Sequence, residues 1–166
     1  MTLAPTEAEL EQLALELGER LRERGAKLAT AESCTGGWIA QCVTAIAGSS
    51  DWFECDWVTY SNLAKQQLLG VDAMTLERHG AVSVETAAQM ADGARRTSGV
   101  DLAVAVTGVA GPSGGSADKP VGTVCFGFAM TARATTSERV HFRGDRHAVR
   151  AQSVKHALVT LLALLD

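Results

Sequence analysis

The stretch from Asp101 to Thr107, DLAVAVT, constrains this chain more than any other. It is apolar almost without interruption and too short for an ordinary buried helix. It therefore reads as a strand covered on both faces, the kind found at the centre of a sheet layered between helices. The thirteen residues that follow, Gly108 to Pro120, hold four glycines and two prolines and cannot continue as regular structure.

Around that strand the chain alternates. Thr6 to Glu9 forms a capping box, and Leu10, Leu13, Ala14, Leu17 and Leu21 follow at helical spacing up to Gly25. Lys27 to Ala31 reads as a strand, Gly36 to Ala47 as a helix, and Phe53 to Tyr60 as a strand rich in Trp, Phe, Val and Thr. Helices are predicted over Asn62 to Leu69, over Asp72 to His79, and from the Ser83 cap to Gly99. Thr123 to Met130 and Thr136 to Phe142 read as a strand pair, and a last helix starts near Asp145. The expected fold class is α/β, a single layered α/β/α domain over residues 1–166 with a mixed sheet.

Composition narrows the function classes. Fifteen Lys and Arg against nineteen Asp and Glu give a formal charge of −4, which argues against a nucleic-acid partner. With 46% hydrophobic and 20% charged residues the balance is that of a globular chain, not a disordered one. No apolar run reaches the ~18 residues of a membrane span, so no membrane partner is expected. The glutamate-rich start holds no secretory signal, and a cytoplasmic location is expected. The cysteines form no C-x-x-C pair and have no histidine at zinc-ligand spacing. Cys42, Cys55 and Cys125 read as small buried hydrophobes.

Three loops carry candidate chemistry. Glu32 to Gly37 leads from a strand into a helix and presents backbone N–H groups at a positive helix terminus, suited to an anion or an oxyanion. There Ser33 is either a helix cap or a nucleophile, and Cys34 is either a rival nucleophile or a packing thiol. In the second loop, Tyr60 to Lys65, the lysine falls close to a helix N-terminus. If also buried, it would have the lowered pKa a general base needs; the alternative is an ordinary surface lysine. Tyr60, the only tyrosine, lines a pocket or finishes the core, the core being the default. The third loop begins at Thr107 and Gly108, where the apolar strand ends and where open α/β sheets place ligands; the alternative is a flexible surface connection. It matches neither the phosphate-binding G-K-[ST] loop nor the dinucleotide fingerprint. Arg143, Arg146, Arg150 and His147 gather at the start of the last helix, where cations oppose the dipole and call for Asp145 or a bound anion.

The strings TAESCTGG (30–37), AGSS (47–50), VTYSNLAK (58–65), GAVS (80–83), VTGVAGPSGG (106–115), KPVGTV (119–124) and FRGDR (142–146) occur in one order. In these the chain resembles the CinA C-terminal-domain family, the stand-alone nicotinamide-nucleotide amidohydrolases. That resemblance implies hydrolysis of the carboxamide of nicotinamide mononucleotide (NMN), giving nicotinate mononucleotide and ammonia in pyridine-nucleotide recycling. It implies Ser33 as nucleophile and Lys65 as base, with Ser50, Tyr60, Thr107, Gly108 and Arg146 lining the substrate pocket. It also implies no metal or cofactor, a small-molecule partner, and a homodimer. Ala47 stands where the family often has proline, and Cys55-Asp56 where it often has two glycines; altered local packing is expected there. The rival readings are a nucleotide-binding module without turnover and a competence-related interaction partner.

Overall fold

The computed structural model describes residues 4–166. Helix α1 (Glu7–Arg24) starts at the Thr6 capping box and ends on Gly25, and β1 (Leu28–Glu32) follows. The next helix, α2 (Trp38–Thr44), is shorter than the predicted span. A single 3-10 turn, Ser49–Asp51, precedes β2 (Phe53–Val58). Then come α3 (Asn62–Leu69), α4 (Ala73–His79), α5 (Val84–Ser98) and β3 (Leu102–Gly108). The hairpin strands β4 (Thr123–Met130) and β5 (Thr136–His141) lead into α6 (Arg146–Leu164).

The strands form one five-stranded sheet in the order β2-β1-β3-β4-β5. The first three are parallel, while β4 and β5 are antiparallel additions on one side. The expected mixed α/β sheet is thus present.

The two faces are packed with different side chains. β1 and β3 run in phase, pairing Leu28 with Leu102 and Ala31 with Ala105, so residue size alternates in step across the sheet. One face gathers Leu28, Val104, Val106, Val124 and Phe126 against α1, α2 and α6, around the fully buried Trp52. The other presents Ala31, Ala103, Ala105 and Ala129 to Leu69, Leu76, Met90 and Ala91. Small residues let α5 lie close on that face: a Cβ at Gly127 would sit 2.1 Å from the Ala87 carbonyl oxygen. This double coverage is why DLAVAVT carries no polar alternation.

The carboxyl ends of β1, β2 and β3 share one edge. Ser33, Thr59 and Gly108 continue or end those strands, and Ser33 N–H still pairs with the Val106 carbonyl at 2.9 Å. Such an edge is the common ligand position in open α/β sheets.

Candidate active site

Ser33 leaves β1 into a turn that reverses over Gly36 and Gly37, whose φ values of 61° and 97° suit glycine. Ser33 is not the cap of α2. The cap position is Gly37, with no side-chain bond, and Glu32 acts instead from beneath. Its carboxylate accepts from the N–H groups of Ile39 at 2.9 Å and Ala40 at 3.2 Å, inside the first turn of α2. A fully buried carboxylate at a helix N-terminus is held by the same N–H groups it satisfies.

Lys65 comes from the first half of α3, which Ser61 caps through the Ala64 N–H. It is 1% exposed, so the surface-lysine reading does not hold. Its Nζ lies 3.1 Å from Ser33 Oγ, 2.7 Å from the Thr59 carbonyl oxygen and 3.3 Å from that of Tyr60. Burial pushes the ammonium pKa below the ordinary lysine value. Cys34 opposes that shift only as a thiolate, and burial, aided by Glu32, pushes the Cys34 thiol up to about 12. Near neutral pH Cys34 is then a thiol and the opposition is small, which favours the packing reading of Cys34. A neutral amine has two N–H groups and one lone pair. As an ammonium Lys65 donates to Ser33 Oγ and to both carbonyls; a neutral amine with its N–H groups on the two carbonyls would turn its lone pair to Ser33 Oγ, the arrangement that accepts a hydroxyl proton.

The remaining candidates fall into two groups. Thr107 lies beside Ser33 at the end of β3, but its hydroxyl is used within the fold, donating to the Ala81 carbonyl at 2.9 Å. Gly108 passes so close to β4 that a Cβ would sit 2.8 Å from the Thr123 carbonyl oxygen. Tyr60 is 66% exposed and not part of the core; its hydroxyl is 3.5 Å from an Arg146 nitrogen. Arg146 also donates to the Gly111 carbonyl at 2.8 Å, which ties α6 to the glycine-rich loop. Ser50 stands apart. It belongs to the 3-10 turn before β2, at the end where Phe53 pairs with Leu28, so within this chain it lies across the length of the sheet from Ser33.

At the start of α6, Arg146 and Arg150 are engaged by neutral protein groups, and the Asp145 carboxylate serves the helix itself. Asp145 caps the helix through the Ala148 N–H at 2.8 Å. Arg150 donates to the carbonyls of Cys34 and Thr35 and lies over the Trp38 ring, 5.4 Å from its centroid. A hollow of about 460 Å³ opens between Ala110, Pro112 and Val121 of the third loop and residues Gly144 to His147. A neighbouring one of about 370 Å³ runs along Thr35 to Trp38, His147 and Arg150. Both are of ligand size and share His147.

Sequence reasoning did not reach three contributors: Glu32 as the support of α2, the Thr59 carbonyl as a holder of Lys65, and Asp56. Asp56 accepts from the Thr30 hydroxyl at 2.9 Å and contacts Glu32; burial first, then the Glu32 charge, push its carboxyl up to about 8. Cys55 also differs from expectation, being half-buried with Sγ 3.0 Å from Ser98 Oγ; the four cysteines are free thiols. Among the described residues no cluster of His, Cys, Asp and Glu is arranged to hold a metal, and no helix is long and apolar enough to cross a membrane.

Comparison with known proteins agrees with this architecture. The family model for the CinA C-terminal domain matches residues 10–165. The nicotinamide-nucleotide amidohydrolase PncC of Escherichia coli (strain K12) is 53% identical over 156 residues, covering 94% of each chain. The protein of that name from Pseudomonas putida is 53% identical over 152 residues, covering 92% of this chain and 94% of its own. The crystal structure of a competence/damage inducible protein from Agrobacterium tumefaciens superposes with a TM-score of 0.93 at 43% identity, covering 100% of both chains. Matched by the family model over almost its whole length, by relatives over 92% and 94% of it, and by a solved structure end to end, the chain belongs to the CinA C-terminal domain family.

Proposed function

We propose that this chain is an amidohydrolase that converts NMN to nicotinate mononucleotide and ammonia, with Ser33 as nucleophile and Lys65 as base. The observation that carries the reading is the buried Lys65 Nζ at 3.1 Å from Ser33 Oγ, with carbonyls as its other partners. The names of the relatives from E. coli and P. putida supply the substrate class.

Lys65 takes the Ser33 proton as Oγ attacks the carboxamide carbon. Negative charge develops on the amide oxygen, beside the N–H groups of Cys34 and Thr35, neither of which donates to another residue among the described ones. Donors placed at a developing oxyanion are worth roughly 3 kcal/mol each. Lys65, now an ammonium, returns its proton to the leaving nitrogen; the C–N bond breaks and ammonia departs, leaving the acyl group esterified to Ser33. Water then attacks that ester with Lys65 again as base, the Ser33 hydroxyl is restored, and the carboxylic acid product leaves.

The rest of the substrate fits the surrounding groups. The exposed Tyr60 ring offers a face to the cationic pyridinium. Arg146 and the first N–H groups of α6 border the larger hollow and suit the 5′-phosphate. The product of this reaction would be a pyridine nucleotide that retains its ribose phosphate, which supports a role in pyridine-nucleotide recycling.

Incubating the purified protein with NMN tests this directly. Ammonia and nicotinate mononucleotide are expected in equal amounts. Tight binding of NMN without either product would leave the non-catalytic nucleotide-binding reading in its place.

A further inference from the structure

We propose that Arg150 is a positioning residue for this reaction: by holding the Cys34 and Thr35 carbonyls it aims the N–H groups of the Ser33 turn at the oxygen of the reacting carboxamide. The inference rests on the Ser33–Lys65 reading above.

The turn bonds to itself through Gly36 N–H on the Ser33 carbonyl at 3.1 Å and Trp38 N–H on the Thr35 carbonyl at 3.2 Å, but among the described residues it offers no backbone N–H to the Cys34 carbonyl. It ends in two glycines with positive φ, and α2 behind it has seven residues and no cap from its own N-cap side chain. In a trans peptide the C=O and N–H point opposite ways, so whatever captures a carbonyl orients the N–H of the next residue. The Ser33 carbonyl accepts from Gly36 N–H at 3.1 Å, which turns Cys34 N–H to the other side. The Cys34 carbonyl accepts from Arg150 Nε at 3.0 Å, which does the same for Thr35 N–H. The Thr35 carbonyl accepts from Arg150 Nη2 at 3.1 Å and from Trp38 N–H at 3.2 Å, and its peptide carries the Gly36 N–H that holds Ser33. Arg150 thus sets the Thr35 N–H directly, and with Trp38 N–H it shares the hold on the peptide through which Gly36 sets the Cys34 N–H.

Two features make arginine the required residue. Its planar fork reaches two successive carbonyls at once, which a single ammonium does not. Its plane also lies over Trp38, the first residue of α2, and Trp38 packs on His147 at 5.2 Å between ring centroids. Arg150 follows Arg146 by one helical turn on α6, so one rigid helix carries the contact to Gly111 and Tyr60 and the contact to the nucleophile's turn.

Steady-state kinetics on NMN separates positioning from mere support. Arg150→Ala is expected to lower kcat about 100-fold, the scale of a lost oxyanion donor, with KM changed less than about threefold. Ethylguanidinium added at millimolar concentration is expected to recover at least about tenfold of that loss. Arg150→Lys, which keeps the charge and an apolar stem and so guards against loss of fold, is expected to remain at least about tenfold below the parent. A kcat within threefold of the parent in either variant, or a loss that ethylguanidinium leaves unchanged, would overturn the proposal while the Ser33–Lys65 reading stands. A parent protein that releases no ammonia from NMN would overturn both.

Discussion

Lys65 Nζ stands 3.1 Å from Ser33 Oγ while only 1% of the lysine is exposed. The two come from different layers, Ser33 from the end of a central strand and Lys65 from a helix packed on the alanine face. Thr59 and Tyr60, where the chain leaves β2, supply the carbonyls that hold the amine in place. An ammonium withdrawn from water, with no carboxylate paired to it among the described residues, is poorly stabilised, and the amine form gains by comparison.

This gives a pH dependence of definite sign. Burial lowers the Lys65 pKa, so the active, neutral form accumulates at lower pH than for a free lysine. kcat/KM is expected to rise with pH along a limb whose midpoint lies below the ~10.4 of a free lysine. Lys65→Arg keeps the charge and removes the base, and a loss of at least about 100-fold is expected. A Lys65→Arg enzyme with parental turnover and the same pH limb would remove Lys65 from the reaction.

Ser33 and Cys34 are adjacent in sequence and opposite in character. Cys34 is 7% exposed, with its thiol pushed up to about 12, and so has almost no thiolate at neutral pH. Ser33→Ala is expected to abolish ammonia release with NMN affinity within a few-fold, because the hydroxyl acts in the transition state. Cys34→Ala is expected to keep most of its turnover at some cost in stability, about 1 kcal/mol for a small buried side chain. Measured turnover in the reverse order would exchange the nucleophile.

Arg146 makes its protein contacts to an uncharged carbonyl and a phenol, which leaves its charge available to a ligand. Arg146→Ala is expected to raise KM for NMN about tenfold or more, consistent with the ~1.5–3 kcal/mol of a hydrogen bond to a charged group. Nicotinamide riboside, which lacks the phosphate, should be affected far less. Equal losses on both compounds would assign Arg146 to the fold or to the chemistry.

How much of this was legible in the sequence depended on how local each cause was. DLAVAVT named its own layer because double coverage removes alternation, and Thr6, Ser61, Asp72, Ser83 and Asp145 announced helix starts because capping acts within three residues. Ser33 and Lys65 could be singled out from their loops and from the family resemblance, but their meeting depends on β1, β2 and α3 assembling. Ser50 shows the limit: chain order brings it near Ser33, yet α2 carries the chain back to the amino ends of the strands before Ser50 occurs. Tyr60 reads as core by residue type, and only the position of the β2–α3 link shows it exposed. Arg150 and Asp56 act through partners distant in sequence, Cys34 and Thr30, and no local pattern encodes such pairs.

Asp56 supplies the last prediction, and it concerns stability. Its carboxyl accepts from the Thr30 hydroxyl and meets the Glu32 carboxyl beneath the first turn of α2, and both burial and Glu32 raise its pKa to about 8 from an ordinary 3.8. A carboxyl raised in the folded state binds its proton more tightly there than in the unfolded chain. Its stabilising contribution is therefore complete below about pH 4 and is lost as the pH climbs towards about 8. Asp56→Asn keeps an acceptor for Thr30 and offers Glu32 a permanent N–H donor, so it removes the pH-dependent part of the cost while conserving the contacts. The melting temperatures of parent and variant are expected to agree near pH 4, diverge by several degrees in favour of asparagine by pH 8, and run parallel at higher pH. Thermal melts at half-unit intervals across this window provide the measurement. Curves that stay parallel throughout would show that Asp56 carries no proton at neutral pH and that the pair beneath α2 is held in another way.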